Sequence, residues 1–220
     1  MRIVNVEPPA WLWDTPGQSL ARALAVPRIN FGDLLRRHLR EGTELGRRAA
    51  ETMESGGLLP DELMTAVVRD HLRREAPAAF LLDHHPRNAA QAVALDELLR
   101  ELGTPLDGVV RLHLPEQEPE RHVRSVADRR VRRGASTHYH EPAAGTPAAE
   151  GACNLCGADL YRRRDDEESR ARGRFSTHEA WAEPVARYYS ARDLLVTVDA
   201  VGTPDEIAGR ALTALRQHGS

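Results

Sequence analysis

Apolar positions along the chain fall into two registers. Met1-Arg2-Ile3-Val4-Asn5-Val6 is a short run rich in β-branched residues, and Glu7-Pro8-Pro9 breaks it, which predicts a buried strand. Ala78-Ala79-Phe80-Leu81-Leu82-Asp83 is a continuous apolar run ending on a carboxylate. Leu106 to Leu114 and Leu194 to Ala200 are two more runs rich in Val and Leu. Continuous apolar runs suit parallel strands buried on both faces. Helical stretches separate them. The first is Thr15 to Ala25, with Thr15 as cap and Pro16 at the first position. Phe31 to Leu39, Glu44 to Ser55, Asp61 to Arg74, Ala90 to Leu102, Pro115 to Val131, Ser176 to Ala191 and Thr203 to His218 follow. Strands alternating with helices predict an α/β fold around a parallel sheet.

Length and composition narrow the class. A chain of 220 residues is long enough for one well-buried α/β domain with small appended lobes. Its formal net charge of -3 gives no reason to expect polyanion binding across the surface, so no nucleic-acid partner is expected. No stretch approaches ~18 uninterrupted apolar residues, and the N-terminus does not read as a signal peptide. The expectation is a soluble, cytoplasmic monomer without membrane contact. All 30 Lys+Arg residues are arginine, a bias that carries no functional weight by itself.

The opening of the chain holds the strongest candidate chemistry. A strand, a Pro-containing loop and a helix at the N-terminus is where a phosphate-binding loop belongs. This stretch resembles the opening of the adenylate kinases, which runs as a strand, G-P-P-G-A-G-K-G-T, a helix, and a T-G-D-L-hydrophobic-R turn. Met1 to Val6, Pro8, Pro9, Thr15, Leu20, Leu24, Pro27, Ile29, Gly32, Asp33, Leu34 and Arg36 align with it without a gap. The working residues of the loop do not. Glu7, Ala10, Trp11, Leu12, Trp13 and Asp14 stand where the family has glycine, glycine, alanine, glycine, lysine and glycine.

That replacement strikes at how such a loop works. Glycines let its backbone curl round the phosphates with N–H groups inward, where side chains would obstruct. The lysine neutralises charge on the β and γ phosphates. Here two tryptophans and a leucine fill the cradle, and Glu7 and Asp14 bring carboxylates to a polyanion. No other lysine can substitute, because the chain has none.

Further along, the resemblance implies a P-loop kinase fold with a five-stranded parallel sheet flanked by helices. It implies a core over 1–29, 60–125 and 165–220, an AMP-binding lobe over 30–59 and a lid over 126–164. Gly42-Thr43-Glu44-Leu45-Gly46 and Gly56-Gly57-Leu58-Leu59-Pro60-Asp61-Glu62 follow the family pattern of that lobe. By resemblance Arg36 binds the AMP phosphate, and Gly57, Leu58 and Leu59 line the adenine. Phe31 stands where a threonine is usual. The family's G-F-P-R is His84-His85-Pro86-Arg87 here. Asp83 matches the carboxylate that holds the magnesium water shell, Arg87 the phosphate clamp and Gln91 the amide that reads adenine. The two histidines are departures, read as loop drift in preference to a metal pair or proton relay. Arg129 matches the lid arginine. Arg163-Arg164-Asp165-Asp166-Glu167-Glu168-Ser169-Arg170-Ala171-Arg172-Gly173-Arg174 stands for R-x-D-D-x-x-E-x-x-x-x-R, so Arg163 and Arg174 are the remaining phosphate arginines. Gly202 and Thr203, with Val201, form the turn that packs on the ATP adenine in the family.

The two cysteines form Cys153-x-x-Cys156, half of a zinc site by spacing. Many bacterial adenylate kinases hold the lid with a four-ligand zinc. His138 and His140 are candidates for the missing ligands, but Arg132 and Ala135 occupy the family's first two cysteine positions. Little or no bound zinc is expected. A redox role is set aside, because the pair does not follow a strand that opens a helix.

The family's reaction is ATP + AMP giving two ADP with Mg2+, by positioning and charge neutralisation. The expected function is an adenylate kinase-like protein that binds AMP and whose transfer activity is impaired or lost. Such a pseudo-enzyme would act as a sensor or through a protein partner. A functional adenylate kinase with an atypical ATP-binding loop is the alternative.

Overall fold

The computed structural model describes residues 1–9, 15–55, 58–115, 120, 123, 130–132, 139–140, 152, 157–161 and 167–218. Five parallel strands form the main sheet: β1 (Arg2–Val6), β2 (Arg28–Asn30), β3 (Phe80–Asp83), β4 (Gly108–His113) and β8 (Leu195–Asp199), in the order β2-β3-β1-β4-β8. Helices α1 (Pro16–Leu24), α2 (Phe31–Glu41), α3 (Glu44–Glu54), α4 (Asp61–Glu75), α5 (Ala89–Glu101), α6 (Glu168–Ser190) and α7 (Pro204–His218) complete the α/β fold among the described residues.

Burial explains why these strands read so clearly. Ile3, Val4 and Val6 of β1 and all four residues of β3 are buried, as a strand covered on both faces requires. The core joins Val4, Ile29, Leu82 and Val109 of the sheet to Val67 and Leu72 of α4, Leu95 and Leu99 of α5, and Val185 and Tyr189 of α6. Each such aliphatic side chain contributes about 1.5–3 kcal/mol on burial.

Register then positions the site. Asn5 of β1 lies beside Asp83 of β3, and Asn30 of β2 beside the same residue. Side chains two apart on a strand share a face. Asn5 and Glu7 therefore share a face, as do Arg28 and Asn30. The result is a collection of polar groups at the carboxyl ends of β1, β2 and β3, where open α/β sheets bind ligands.

Three sequence expectations need correction. The strand β2 was not foreseen; at three residues it is too short for a periodic signal and exists because β3 pairs with it. Helix was expected through Val131, whereas Arg130–Arg132 is strand β5. It pairs antiparallel with β6 (Tyr139–His140) and β7 (Leu160–Tyr161) in a separate three-stranded sheet, partners that local sequence cannot announce. Helix α6 begins at Glu168, before the expected Ser176, and carries Pro184 inside.

The chain divides into two compact units. One comprises Met1–Glu7, Pro16–His113 and Trp181–Ser220, and the other Pro8–Thr15 and Leu114–Ala180. The first holds the parallel sheet. The second holds the antiparallel sheet, together with buried Val123, Phe175 and His178.

Candidate functional site

At the end of β1, Glu7 turns inward and is only 4% exposed. Its Oε2 accepts the backbone N–H of Gly17 at 2.7 Å and the Asn5 Nδ2 at 3.0 Å. Gly17 lies in the first turn of α1, where backbone N–H groups lack helical partners and anions normally bind. A carboxyl oxygen of the chain itself thus fills a position suited to a phosphate oxygen. Asn5 Nδ2 also donates to Asp83 Oδ1 at 2.7 Å, and Arg28 Nε donates to Asp83 Oδ2.

Gly17 is required by this close approach. A Cβ placed on it would stand 2.6 Å from Asn5 Nδ2, 2.8 Å from Glu7 Oε2 and 3.0 Å from Asp83 Oδ1. Burial pushes the Glu7 carboxyl up to about 8, and the Asp83 carboxylate beside it pushes the same way. Glu7 is accordingly uncharged over most of the neutral range. The sequence reading of Glu7 as a negative charge facing the loop is corrected on that ground: its effect is occupancy.

A second polar group gathers where β2 and β3 lead into α2 and α5. Phe31 opens α2 and is buried. Its ring packs against His85 with centroids 6.3 Å apart and planes at 23°, and the Arg87 guanidinium carbon lies 5.7 Å from the Phe31 centroid. Arg87 Nε donates to the His84 carbonyl at 3.1 Å, and the Arg87 backbone N–H donates to Gln91 Oε1 at 2.7 Å. Gln91 Nε2 donates to Asp61 Oδ1 at 2.7 Å, and Asn88 Nδ2 donates to Asp61 Oδ2 at 2.6 Å. His84 takes a left-handed backbone with φ of 61°, a conformation that glycine adopts freely and a side chain strains. Burial holds the imidazoles of both His84 and His85 below the usual histidine range.

Other predicted residues are placed less tightly. Arg36 is exposed and paired with Asp33 at 2.6 Å on the same helix. Leu58 is 93% exposed, whereas Leu59 is half-buried against the core. Gly202 has φ of 108°, and Thr203 caps α7 reciprocally with Glu206: Thr203 N–H donates to Glu206 Oε2 at 2.8 Å and Glu206 N–H to Thr203 Oγ1 at 3.3 Å. Thr15 immediately precedes α1. Ala10, Trp11, Leu12, Trp13, Asp14, Gly57, Arg129, Arg163, His138, Cys153 and Cys156 lie outside the described residues, as do the side chains of Arg174 and His140. Among the described residues no group of three or more His, Cys, Asp or Glu could hold a metal ion, and no helix is long and apolar enough to cross a membrane.

Comparison with known proteins decides the family. The family model described as adenylate kinase matches residues 7–194. The adenylate kinase of Streptomyces avermitilis is 41% identical over 218 residues, spanning 99% of this chain and 98% of that protein. The adenylate kinase of Salinispora tropica is 39% identical over 219 residues, covering 99% of each. That of Archaeoglobus fulgidus is 36% identical over 206 residues, covering 93% of this chain and 92% of that protein. This chain belongs to the adenylate kinase family.

Members of the family bind AMP, ATP and ADP, and use Mg2+ with ATP. The residues of this adenylate kinase relative do not fit a magnesium position as they stand. Asp83 is fully buried with one oxygen on Asn5 and the other on the Arg28 cation, so neither oxygen is open to a hydrated cation without displacing that pairing. Sequence reasoning named Asp83, Phe31, Arg87 and Gln91 but missed Asn5, Arg28, Gly17 and Asp61. The alternation of residues 3, 5 and 7 along β1 was the available signal for Asn5 beside Glu7. Asp61 gave none, because its partner lies 30 residues away.

Proposed function

We propose that this chain is a nucleotide-binding member of the adenylate kinase family that retains monophosphate recognition and has lost most or all phosphoryl transfer. The carrying observation is the Glu7 carboxyl seated on the Gly17 N–H at the start of α1. In a working loop that amide end faces phosphate and the place of Glu7 is glycine, so donor phosphates and this side chain compete for the same space. Loss of one preorganised donor to a reacting oxyanion costs roughly 10²–10³ in rate in a well-studied case. Here the lysine and several cradle glycines are replaced together.

In this reading residues 30–59 form the monophosphate lobe and 126–164 the lid, and the protein is a cytoplasmic monomer. Arg36, Arg87, Gln91 and the Gly57–Leu59 backbone serve AMP, with Phe31 apolar against the nucleotide. By family resemblance Arg129, Arg163 and Arg174 are the arginines that neutralise the phosphates. Ala10, Trp11, Leu12, Trp13, Asp14, Thr15, Gly202 and Thr203 stand at the family's donor-site positions, where the loop has lost its glycines and lysine. Cys153, Cys156, His138 and His140 hold little or no tightly bound zinc. A bidentate arginine grip on phosphate is a strong charge-assisted contact, which supports AMP binding without the donor loop.

Calorimetric titration with AMP and with Mg-ATP, beside a coupled assay of ADP formation, tests the reading. AMP is expected to bind, Mg-ATP to bind far more weakly, and turnover to be negligible. Tight Mg-ATP binding with ordinary turnover would establish the second reading, a functional adenylate kinase with an atypical loop. The identity to adenylate kinases along the whole chain favours that second reading.

A further inference from the structure

Asp83, at the carboxyl end of β3, is fully buried, and three elements close round it. Asn5 of β1 donates to its Oδ1 at 2.7 Å, and Arg28 of β2 donates from Nε to its Oδ2. On the α1 side the approach is so close that a Cβ on Gly17 would stand 3.0 Å from Oδ1. A carboxylate survives such burial when a cation and hydrogen bonds compensate it. Among the described residues the cation paired with Asp83 is Arg28.

That pairing decides what the site can take. The Arg28 side chain keeps 19% exposure against 1% for Asp83, so a ligand arriving at this end of the sheet meets the guanidinium before the carboxylate. Mg2+ gives up its waters reluctantly and binds through one or two carboxylates together with ligand phosphates. To use Asp83 it would have to displace Arg28 and then stand beside the guanidinium it released, with like charges repelling in a poorly hydrated place. A guanidinium carries five N–H donors in a planar fork, and Asp83 engages the one on Nε. The Nη groups, which make no hydrogen bond among the described residues, are left for a phosphate oxygen. Arg36 and Arg87 also carry donors suited to phosphate; Arg28 differs from both in holding Asp83.

We propose that Arg28 is the resident cation of this site: its guanidinium takes the place of a divalent ion at Asp83, and the ligand the site accepts is a nucleoside phosphate free of metal. The assignment rests on the nucleotide-binding reading above. Divalent ions then work against binding here instead of assisting it. While Arg28 is seated on Asp83 no metal enters there, and removing the Arg28 charge opens the carboxylate.

Two measurements on the full chain test this, and one of them uses no nucleotide. In the first, calorimetry follows ADP binding with EDTA present and then with excess Mg2+. Wild type should respond to the metal-free fraction alone, so its apparent ADP affinity falls about tenfold when about nine-tenths of the nucleotide carries Mg2+. An affinity that holds or rises with Mg2+ overturns the proposal. In the second, Mn2+ replaces Mg2+, and the electron paramagnetic resonance signal of the free ion is followed as protein is added. Wild type should leave the signal unchanged. Arg28→Gln, which keeps an N–H donor and removes the charge, should take up Mn2+, and adding Asp83→Asn to that variant should abolish the uptake. A wild type that binds Mn2+ as tightly as Arg28→Gln, or an Arg28→Gln that binds none, overturns the assignment. If Arg28→Gln does not fold, the wild-type ADP comparison decides. A wild type that binds neither AMP nor ADP removes the nucleotide reading, and the Mn2+ comparison then decides whether Arg28 holds the cation position.

Discussion

Gly17 has no side chain because three polar atoms already occupy the space one would need. In Gly17→Ala the new methyl would stand 2.6 Å from Asn5 Nδ2 and 2.8 Å from Glu7 Oε2, so these hydrogen-bonded side chains would have to shift. Overpacking of this kind costs about 1–3 kcal/mol. Urea denaturation should find the variant less stable by that amount, with the slope against urea unchanged. Glu7 adds a titration. Its carboxyl loses its proton near 8 when folded and near 4.5 when free. Between those values the folded chain holds the extra proton, so this group's contribution to stability is full below pH 4.5 and declines as pH rises towards 8. Thermal melts of wild type and Glu7→Gln across pH 4 to 9 should show the difference between them shifting against the wild type over that window. A constant difference would mean that Glu7 is not buried as an acid.

At the scale of elements, helix ends carry much of the site's order. Asn88 caps α5 by accepting the Gln91 N–H at 2.8 Å and also ties α5 to Asp61 at the start of α4. An N-cap contributes about 0.5–2 kcal/mol. Asn88→Ala should lower stability within that range and also weaken AMP binding, because the Gln91–Asp61 contact beside it loses its brace. The same variant with unaltered AMP affinity would show that the α4–α5 contact does not serve the nucleotide. The strands were legible from their apolar runs and the helices from their caps and periodicity. The three-residue β2 and the antiparallel strands β5 to β7 were not, since strands that short take their form from partners distant in sequence.

For the whole molecule, the sharpest experiment rebuilds the donor loop. Glycine at 7, 10, 12 and 14, alanine at 11 and lysine at 13 would restore the family loop and free the Gly17 N–H. ADP formation from ATP and AMP should then rise by orders of magnitude, as expected when preorganised donors are regained. A repaired protein that stays inactive would place further damage at Phe31, His84 and His85. Arg87→Ala in the unrepaired chain should abolish measurable AMP binding while leaving the melting temperature within a few degrees, because Arg87 is exposed.

By itself the sequence determined the α/β class, the order of the main strands and helices, the kinship with adenylate kinases and the loss of the loop's glycines and lysine. Those follow from local pattern: runs of apolar residues, caps, and residue types at fixed spacing. The tertiary structure decided what the replacements do. That Glu7 folds inward as a largely neutral acid on the α1 amide depends on the register that sets Asn5 beside Asp83. That Arg28 occupies Asp83 depends on a strand too short to be seen in the sequence. That His85 is sealed with both nitrogens open depends on packing by Phe31, 54 positions away. Burial and pairing across the sheet set charge and hydrogen-bond capacity, and neither is a property of a residue taken alone.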